Sequence, residues 1–501
     1  MSPSATINSI ESRPRFAYGR YVVAGLGLIA LAVVILVTRR AMISARWIPD
    51  DTWTVATAAL AAMACALPGV FLVMRQQSMM GDALSHTALP GIVAAFLFAH
   101  ALRQADWISP ATYDSWRHAA MFVGALMIGV LSAVLTEWVQ KLGRVEASAA
   151  LGVVFTTLFA VGLLLMRLKA DQVDIDPDCV LYGIIETTVM NTVPNTDIPR
   201  AAVVNGSVLL VNLLLVALFF KELRISAFDP AISTAMGINA QAMHYALMAV
   251  TAATLVSAFE SVGSILVIAM LIAPAATAHL LTDRLDLLIA ISLAVASLSA
   301  FLGHLMAITL PSLVFTALGY PEVIDTNTAG MMAVAVGGLF VAAALFGPRY
   351  GVVSKAIDQA RLARSIIAED ILGLLYRLEE ESGATLLAVT QLTAMMGGRT
   401  RPIQAALRGL VAAGDLTLRA GSCELSHAGR ERAKQLVRAH RLWESYMAKH
   451  FDLPTDHLHE SAARVEHFLG ADLRGELAAE LDDAAEDPHG REIPPEQGSN
   501  A

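Results

Sequence analysis

Up to about residue 346 the chain is a succession of long apolar runs; beyond it, apolar residues recur only at helical or alternating spacing. The runs lie near 21–37, 53–74, 84–102, 119–139, 149–167, 200–221, 243–281, 286–310 and 327–346. A bilayer core takes roughly 20 helical residues, so most of these suffice for one crossing. The run 243–281 is too long for one. It either turns back at Glu260-Ser261-Val262-Gly263 or joins a span to a shorter re-entrant helix, giving about 8–10 spans in all. The first run follows Arg13, Arg15 and Arg20 and leads straight into Thr38-Arg39-Arg40. With no small-residue cleavage site there, it is expected to stay as a transmembrane helix.

The pattern then changes. Residues 350–365 read as a helical linker, and Glu369 to Leu378 carries apolar positions at helical spacing. Helices are expected near 388–396 and 400–413, followed by Asp415-Leu416-Thr417-Leu418 and Cys423-Glu424-Leu425-Ser426, which alternate like a short hairpin. Helix, turn, helix and hairpin is the order of a winged helix. The last stretch, 486–501, is expected to be an unordered tail.

Composition agrees with a polytopic membrane protein. A chain that is 56% hydrophobic, with mean hydropathy +0.58, is too apolar for an ordinary soluble protein. The net charge of −9 averages two unlike parts and so points to no partner. Cys65, Cys179 and Cys423 are far apart and form no metal-ligand spacing. Lys141 and Arg144 mark one loop as cytoplasmic, and Lys221 and Arg224 a second, by the positive-inside tendency. The loop with Asp171, Asp174, Asp176 and Asp178 then falls outside, and the C-terminal part is cytoplasmic in an inner (cell) membrane protein. Arg39, Arg40 and Arg46 run against this scheme.

Candidate chemistry begins at Arg75 to Gly91, RQQSMMGDALSHTALPG. Asp82 and His86 stand four apart, on one helical face, and ionisable groups inside a membrane are costly enough to suggest function. A helix cap and an interfacial histidine are the plainer explanation. Glu260, in an apolar run, is a further candidate, whereas His244 and His304 lack an acid at helical spacing and are expected to be structural. His279 and Asp283 repeat the four-residue spacing. Two Asp/His pairs supply the oxygen and nitrogen ligands that suit manganese, iron or zinc.

Arg75 to Gly91 resembles the signature of permease subunits from ATP-binding-cassette importers for zinc, manganese and iron, through Met79, Gly81, Asp82, Ala83, Ser85, His86, Leu89, Pro90 and Gly91. Ile272 to Arg284 is similar to a second signature of the same permeases. The interruption from Phe228-Asp229-Pro230 to Met236-Gly237-Ile238-Asn239 resembles their ATPase-coupling loop, which implies coupling roles for Asp229, Pro230 and Gly237. The resemblance further implies a separate ATP-binding subunit, an extracytoplasmic metal-binding protein and a second permease subunit, all working in membrane lipid. No GxxxxGK[ST] occurs, so the chain is not expected to be the ATPase or an enzyme. A gradient-driven secondary transporter would not explain the coupling-loop resemblance.

The tail resembles the iron- and manganese-dependent repressors typified by the diphtheria toxin repressor. The resemblance is carried by Leu425 to Arg430, His440 to Glu444, His459-Glu460, Arg464 to His467 and Asp487 to Gly490. It implies Asp370, His440, Glu444, His459, Glu466 and His467 as metal ligands, with a divalent ion as effector as well as substrate. Ala463 stands where that family usually has Cys or Glu, and Gly373 where its manganese sensors have Glu, so one site is expected to be altered. Thr400 to Ala413 would be the recognition helix, with Arg401, Gln404 and Arg408 contacting operator DNA. Between 399 and 441 there are nine Lys and Arg against three acids, the electrostatic footprint of a DNA binder, although a solvated helix face gives the same count. The alternative to DNA binding is a cytoplasmic metal-sensing brake on the permease.

The reading is thus an all-α polytopic membrane protein with a C-terminal α+β winged-helix and helical metal-sensor domain. Its parts are a cytoplasmic tail 1–20, a transmembrane permease 21–349, a linker 350–365, a regulator domain 366–485 and the tail 486–501.

Overall fold

The structure, a computed structural model, describes residues 47–105, 107, 110–167, 185–398, 400–451, 454–482 and 484–496. The expected first span, Cys179 and the acidic loop at 171–178 lie outside them, as do the side chains of Asp82, His86 and Glu260. Two compact units divide between Ser354 and Lys355.

The first unit is helical: α1 Pro49–Met74, α2 Ser78–Gln104, α3 Pro110–Gly143, α4 Ala147–Leu165, α5 Arg200–Leu218, α6 Phe220–Phe228, α7 Pro230–Ala235, α8 Ala240–Val262, α9 Ser264–Leu281, α10 Leu285–Ala317 and α11 Thr328–Phe346. Among the described residues, α1, α3, α4, α5, α8, α10 and α11 contain segments long and apolar enough to cross a bilayer, and α9 holds a shorter apolar stretch, Leu266–Leu281. The long run 243–281 breaks at Gly263, whose φ of +78° ends α8 and opens α9. A side chain disfavours that conformation, so the glycine sets the turn.

α1 and α9 lie at the centre, with Phe71, Leu72, Leu255, Leu271 and Met332 buried. With lipid outside, helices gain most by close backbone approach at small residues. A Cβ on Gly69 would sit 1.8 Å from the Leu271 carbonyl oxygen, and Gly91 and Gly124 face each other between α2 and α3. Interhelical hydrogen bonds add to this: Asn212 Nδ2 on α5 donates to Thr254 Oγ1 on α8 at 2.8 Å and to the Ala64 carbonyl on α1 at 3.2 Å. Gly69→Ala is expected to force α1 and α9 apart and destabilise this unit by about 2 kcal/mol or more. Thermal unfolding of the detergent-purified chain reads the effect; an unchanged midpoint would contradict the packing.

The second unit comprises β1 Leu387–Ala388, α13 Val389–Met395, α14 Thr400–Ala412, β2 Leu416–Arg419, β3 Ser422–Leu425, α15 His427–His450, α16 Thr455–Val465 and α17 Ala471–Glu480, following α12 Val352–Ser382, which begins before the division. The residues read as a helical linker, from 352 on, form the start of α12. The sheet order is β1-β3-β2, all antiparallel, with Leu416 opposite Leu425 and Arg419 opposite Ser422. Ala420 and Gly421 join β2 to β3 with positive φ, as a two-residue hairpin turn requires. Helix, helix and hairpin therefore follow in the expected order. Ile371, Leu375, Ile403, Leu407, Leu410 and Leu425 form the core beneath them.

The expectation of an unordered tail from 486 is corrected as far as Glu496. Asp487 is buried and its carboxylate lies 3.6 Å from the Arg441 guanidinium, Ile493 is buried, and Glu496 pairs with Arg438 and Arg474 at 2.8 Å. A stretch rich in Pro, Gly and acids reads as unordered on composition. Its partners lie on other elements, so the sequence pattern cannot reveal them.

Candidate functional site

In the first unit, α1 gives way to α2 through a turn in which Gln76 has a φ of +57°. Asp82 and His86 follow one helical turn apart on α2, and Glu260 lies in the last turn of α8, immediately before Gly263. Arg75 fastens this turn. Its guanidinium donates to Ser226 Oγ on α6 at 2.9 Å and lies 3.4 Å from His244 Nδ1 on α8. His304, deep in α10, contacts Thr328 Oγ1 at 3.0 Å and Asp51 Oδ1 at 3.3 Å. Its acid is more than 250 residues away in sequence, beyond any spacing rule.

His279 and Asp283 do not share a helical face. α9 ends at Leu281, with Thr282 in extended conformation, so Asp283 lies past the helix. Its carboxylate pairs with Arg349 and accepts from the Tyr350 hydroxyl at 3.1 Å, while the His279 ring stacks on Tyr350 with centroids 6.0 Å apart. Both side chains are exposed. The structure thus joins this pair to Arg349 and Tyr350 at the end of the helix.

Between α6 and α8, Asp229 Oδ1 accepts from the backbone N–H groups of Ala231 and Ile232 at 2.8 and 3.0 Å, capping α7 behind Pro230. Gly237 turns the chain with a φ of +83°, and Asn239 caps α8. Phe228, Ile232 and Met236 are more than half exposed, leaving an apolar surface on and around this short helix.

The second unit gathers all six histidine and carboxylate ligand candidates into two clusters. In the first, His440 and Glu444 stand one turn apart on α15 and His459 comes from α16. His440 Nε2 lies 2.9 Å from His459 Nδ1 and 3.1 Å from Glu444 Oε1, and His459 Nδ1 is 3.1 Å from the same oxygen. Two ring nitrogens and a carboxylate oxygen thus converge within hydrogen-bonding distance of one another, a donor set suited to a cation. The other nitrogen of His440 bonds to Glu466, the outer carboxylate that fixes a metal-binding histidine.

The second cluster joins Asp370 of α12 to Glu466 and His467 of the 3₁₀ turn Glu466–Phe468. His467 Nε2 lies 3.2 Å from Asp370 Oδ1 and 3.8 Å from Glu466 Oε1. Its Nδ1 meets Glu369 Oε2 at 2.8 Å. Sequence reasoning missed Glu369, although the adjacent acids Glu369-Asp370 were its signal. Glu466, buried and also contacted by Arg377 at 3.3 Å, touches both clusters.

In both clusters, hydrogen bonds between ring and carboxylate set the charge. Burial works against a charged His467, but its hydrogen bonds to Asp370 and Glu369 outweigh that, and its pKa is pushed up to about 10. Burial opposes charge on His440 as well, and the bonds to Glu444 and Glu466 again raise it. Burial would raise Glu444, yet bonds to His440 and His459 bring it below the ordinary carboxylate value. Without metal, the stabilisation from His467 is full below about 6.5 and is lost as pH rises through about 10. Metal takes the neutral ring, so loading at neutral pH should release protons, and affinity should climb with pH across the same window. Calorimetry of Mn²⁺ binding in buffers of different ionisation enthalpy measures the release; proton-neutral binding would contradict it.

On α14, Arg401, Gln404 and Arg408 are exposed while Ile403, Ala406, Leu407 and Leu410 are buried, so the three candidates share the outward face. The basic count needs correcting as a footprint. Arg430 pairs with Glu379, Arg432 with Asp415, Lys434 with Glu431, Arg438 with Glu496, and Arg441 with Glu380 and Asp487. Among the described residues of that run, Arg401, Arg408 and Arg419 remain exposed without an acidic partner.

Residues 52–317 match the family described as the ABC 3 transport family, over more than half of the chain. The chain belongs to that family. Within this ABC 3 protein, residues 426–495 also match the iron dependent repressor, metal binding and dimerisation domain, which contains five of the six clustered ligands. The manganese transport system membrane protein MntD of Bacillus subtilis is 38% identical over 310 residues, covering 61% of this chain and 95% of that protein. The zinc transport system membrane protein TroD of Treponema pallidum is 39% identical over 302 residues, covering 60% of this chain and 75% of the relative. Among solved structures, PsaBC from Streptococcus pneumoniae in complex with Fab aligns over 62% of this chain and 97% of its own, at 25% identity and a TM-score of 0.48.

Proposed function

We propose that this ABC 3 protein is the non-catalytic membrane subunit of an ATP-driven importer of a divalent metal ion, manganese, iron or zinc, with a fused metal-responsive regulator. The observation that carries the reading is the pairing, in one chain, of an ABC 3 membrane unit with two preformed clusters of nitrogen and oxygen ligands. The relatives' names, manganese and zinc transport membrane proteins, support the substrate class.

On this reading Asp82 and His86, with Glu260, contribute ligands along the ion path, whereas His279 and Asp283 are held at the end of α9 by Tyr350 and Arg349. A separate ATPase docks at the loop with Asp229, Pro230 and Gly237, an extracytoplasmic binding protein delivers the ion, and a second permease subunit completes the pore. The exposed Phe228, Ile232 and Met236 support docking at that loop. Arg75, bonded to α6 and set beside α8, ties both flanks of the loop to the start of α2, a route for rigid-body motion. The second unit then lies in the cytoplasm. Uptake into vesicles reconstituted with the ATPase tests the proposal: it should require ATP, and uptake by the chain alone without ATP would refute it.

For the regulator, the exposed Arg401, Gln404 and Arg408 support operator binding, while the internal pairing of Arg430, Arg432, Lys434, Arg438 and Arg441 favours a brake on transport. Metal-dependent, salt-sensitive binding of the full chain to specific DNA separates the two; its absence, with transport slowed by cytoplasmic metal, selects the brake.

A further inference from the structure

Of the two clusters in the second unit, the one formed by Asp370, Glu466 and His467 is short of ligands at the positions where they are expected. Gly373 has no side chain, and a Cβ there would meet Leu436 Cδ2 at 3.2 Å, so the position faces apolar packing. Ala463 is exposed and offers no donor. What stands beside the cluster instead is Glu369, whose Oε2 lies 2.8 Å from His467 Nδ1, on the side of the ring away from Asp370.

An imidazole can bind a cation through one nitrogen only if the proton sits on the other. Nε2 of His467 faces Asp370 Oδ1 and Glu466 Oε1, the oxygens with which it would share an ion, so the proton belongs on Nδ1. Glu369 accepts a hydrogen bond there, at the nitrogen opposite the one that faces Asp370 and Glu466. Adjacent positions on α12 thus grip the ring from both sides, Asp370 at the ligand nitrogen and Glu369 at the other. The His440 ring is held in the same way, with its Nδ1 on Glu466 and its Nε2 toward Glu444 and His459.

We propose that Glu369 is a positioning residue that holds His467 in the tautomer whose Nε2 meets a divalent cation together with Asp370 and Glu466. This rests on the reading of that cluster as a metal site. Outer carboxylates of this kind change metal affinity by about 10- to 100-fold when removed.

The test is Mn²⁺ binding to the full chain in detergent, with free ion counted by electron paramagnetic resonance, for the wild type and for Glu369→Met, Glu369→Gln and Asp370→Ala. Methionine keeps the length of the side chain without an oxygen acceptor; glutamine keeps the oxygen without the charge. Glu369→Met should weaken one ion by about 10- to 100-fold, shift the ion of His440, Glu444 and His459 by much less, and be largely rescued by Glu369→Gln. Wild-type binding by Glu369→Met would overturn the assignment, as would a Glu369→Gln variant as weak as Glu369→Met. Should Asp370→Ala keep the full number of ions, the cluster holds no metal and the reading beneath the proposal fails with it. Loss of an ion in Asp370→Ala beside normal binding in Glu369→Met would sink the positioning role alone.

Discussion

Glu466→Ala is expected to empty both metal clusters of the second unit at once. Its carboxylate bonds His440 in one cluster, lies 3.8 Å from His467 Nε2 in the other, and accepts from Arg377 at 3.3 Å. Truncation removes a ligand from the second cluster and frees the ring that the first depends on. It also removes the carboxylate that Arg377 and His440 share, leaving His440 with Glu444 alone, and breaking a buried pair in this way costs about 3–5 kcal/mol. Metal analysis should therefore find both ions gone, and the unfolding midpoint of this unit should fall without added metal too. His459→Ala makes the contrast, because its side chain is 60% exposed and serves one cluster. A Glu466→Ala protein that keeps either ion at wild-type affinity would show that the clusters do not share this group.

In the membrane unit the largest effect is expected at α2. Asp82→Ala and His86→Ala should each lower ATP-driven metal uptake by at least the roughly 10- to 100-fold that loss of an outer-shell partner costs a metal site, while the protein still assembles with its ATPase. The residues are one turn apart on a helix that starts at the Arg75 turn and packs closely at Gly81 and Gly91. A carboxylate and an imidazole in that setting are costly in lipid and useful beside an ion. Radiolabelled Mn²⁺ flux into ATPase-loaded vesicles, with ATP hydrolysis followed in parallel, measures the loss. Wild-type flux in both variants would take these residues off the ion path.

Much of the architecture was legible because lipid imposes long apolar runs, and because Gly263 supplies the backbone freedom that a break in 243–281 needs. The winged-helix order was equally readable, since alternation at 415–426 differs from the helical spacing on either side. All six metal ligands came from the family resemblance, because no spacing rule brings His459 to His440 and Glu444 or Asp370 to Glu466 and His467; the fold assembles both sets. The same spacing rule misled at His279 and Asp283, because it assumes a helix that in fact stops at Leu281. Counting charge between 399 and 441 failed for a related reason. The acids that pair with Arg430, Arg438 and Arg441 sit at 379, 380, 487 and 496, outside the counted window. Glu369 went unnoticed because its role depends on which nitrogen of a distant ring it touches.

The carboxylate of Glu466 also has a bearing on the shape of the regulator's response. A side chain that an ion draws into place at one cluster is already oriented for its neighbour, and such coupling is reciprocal. Occupancy should then rise as a threshold rather than a gentle slope, with a Hill coefficient above one in a metal titration. A chain of this kind would stay indifferent to small excursions of the ion and commit fully once a set level is passed.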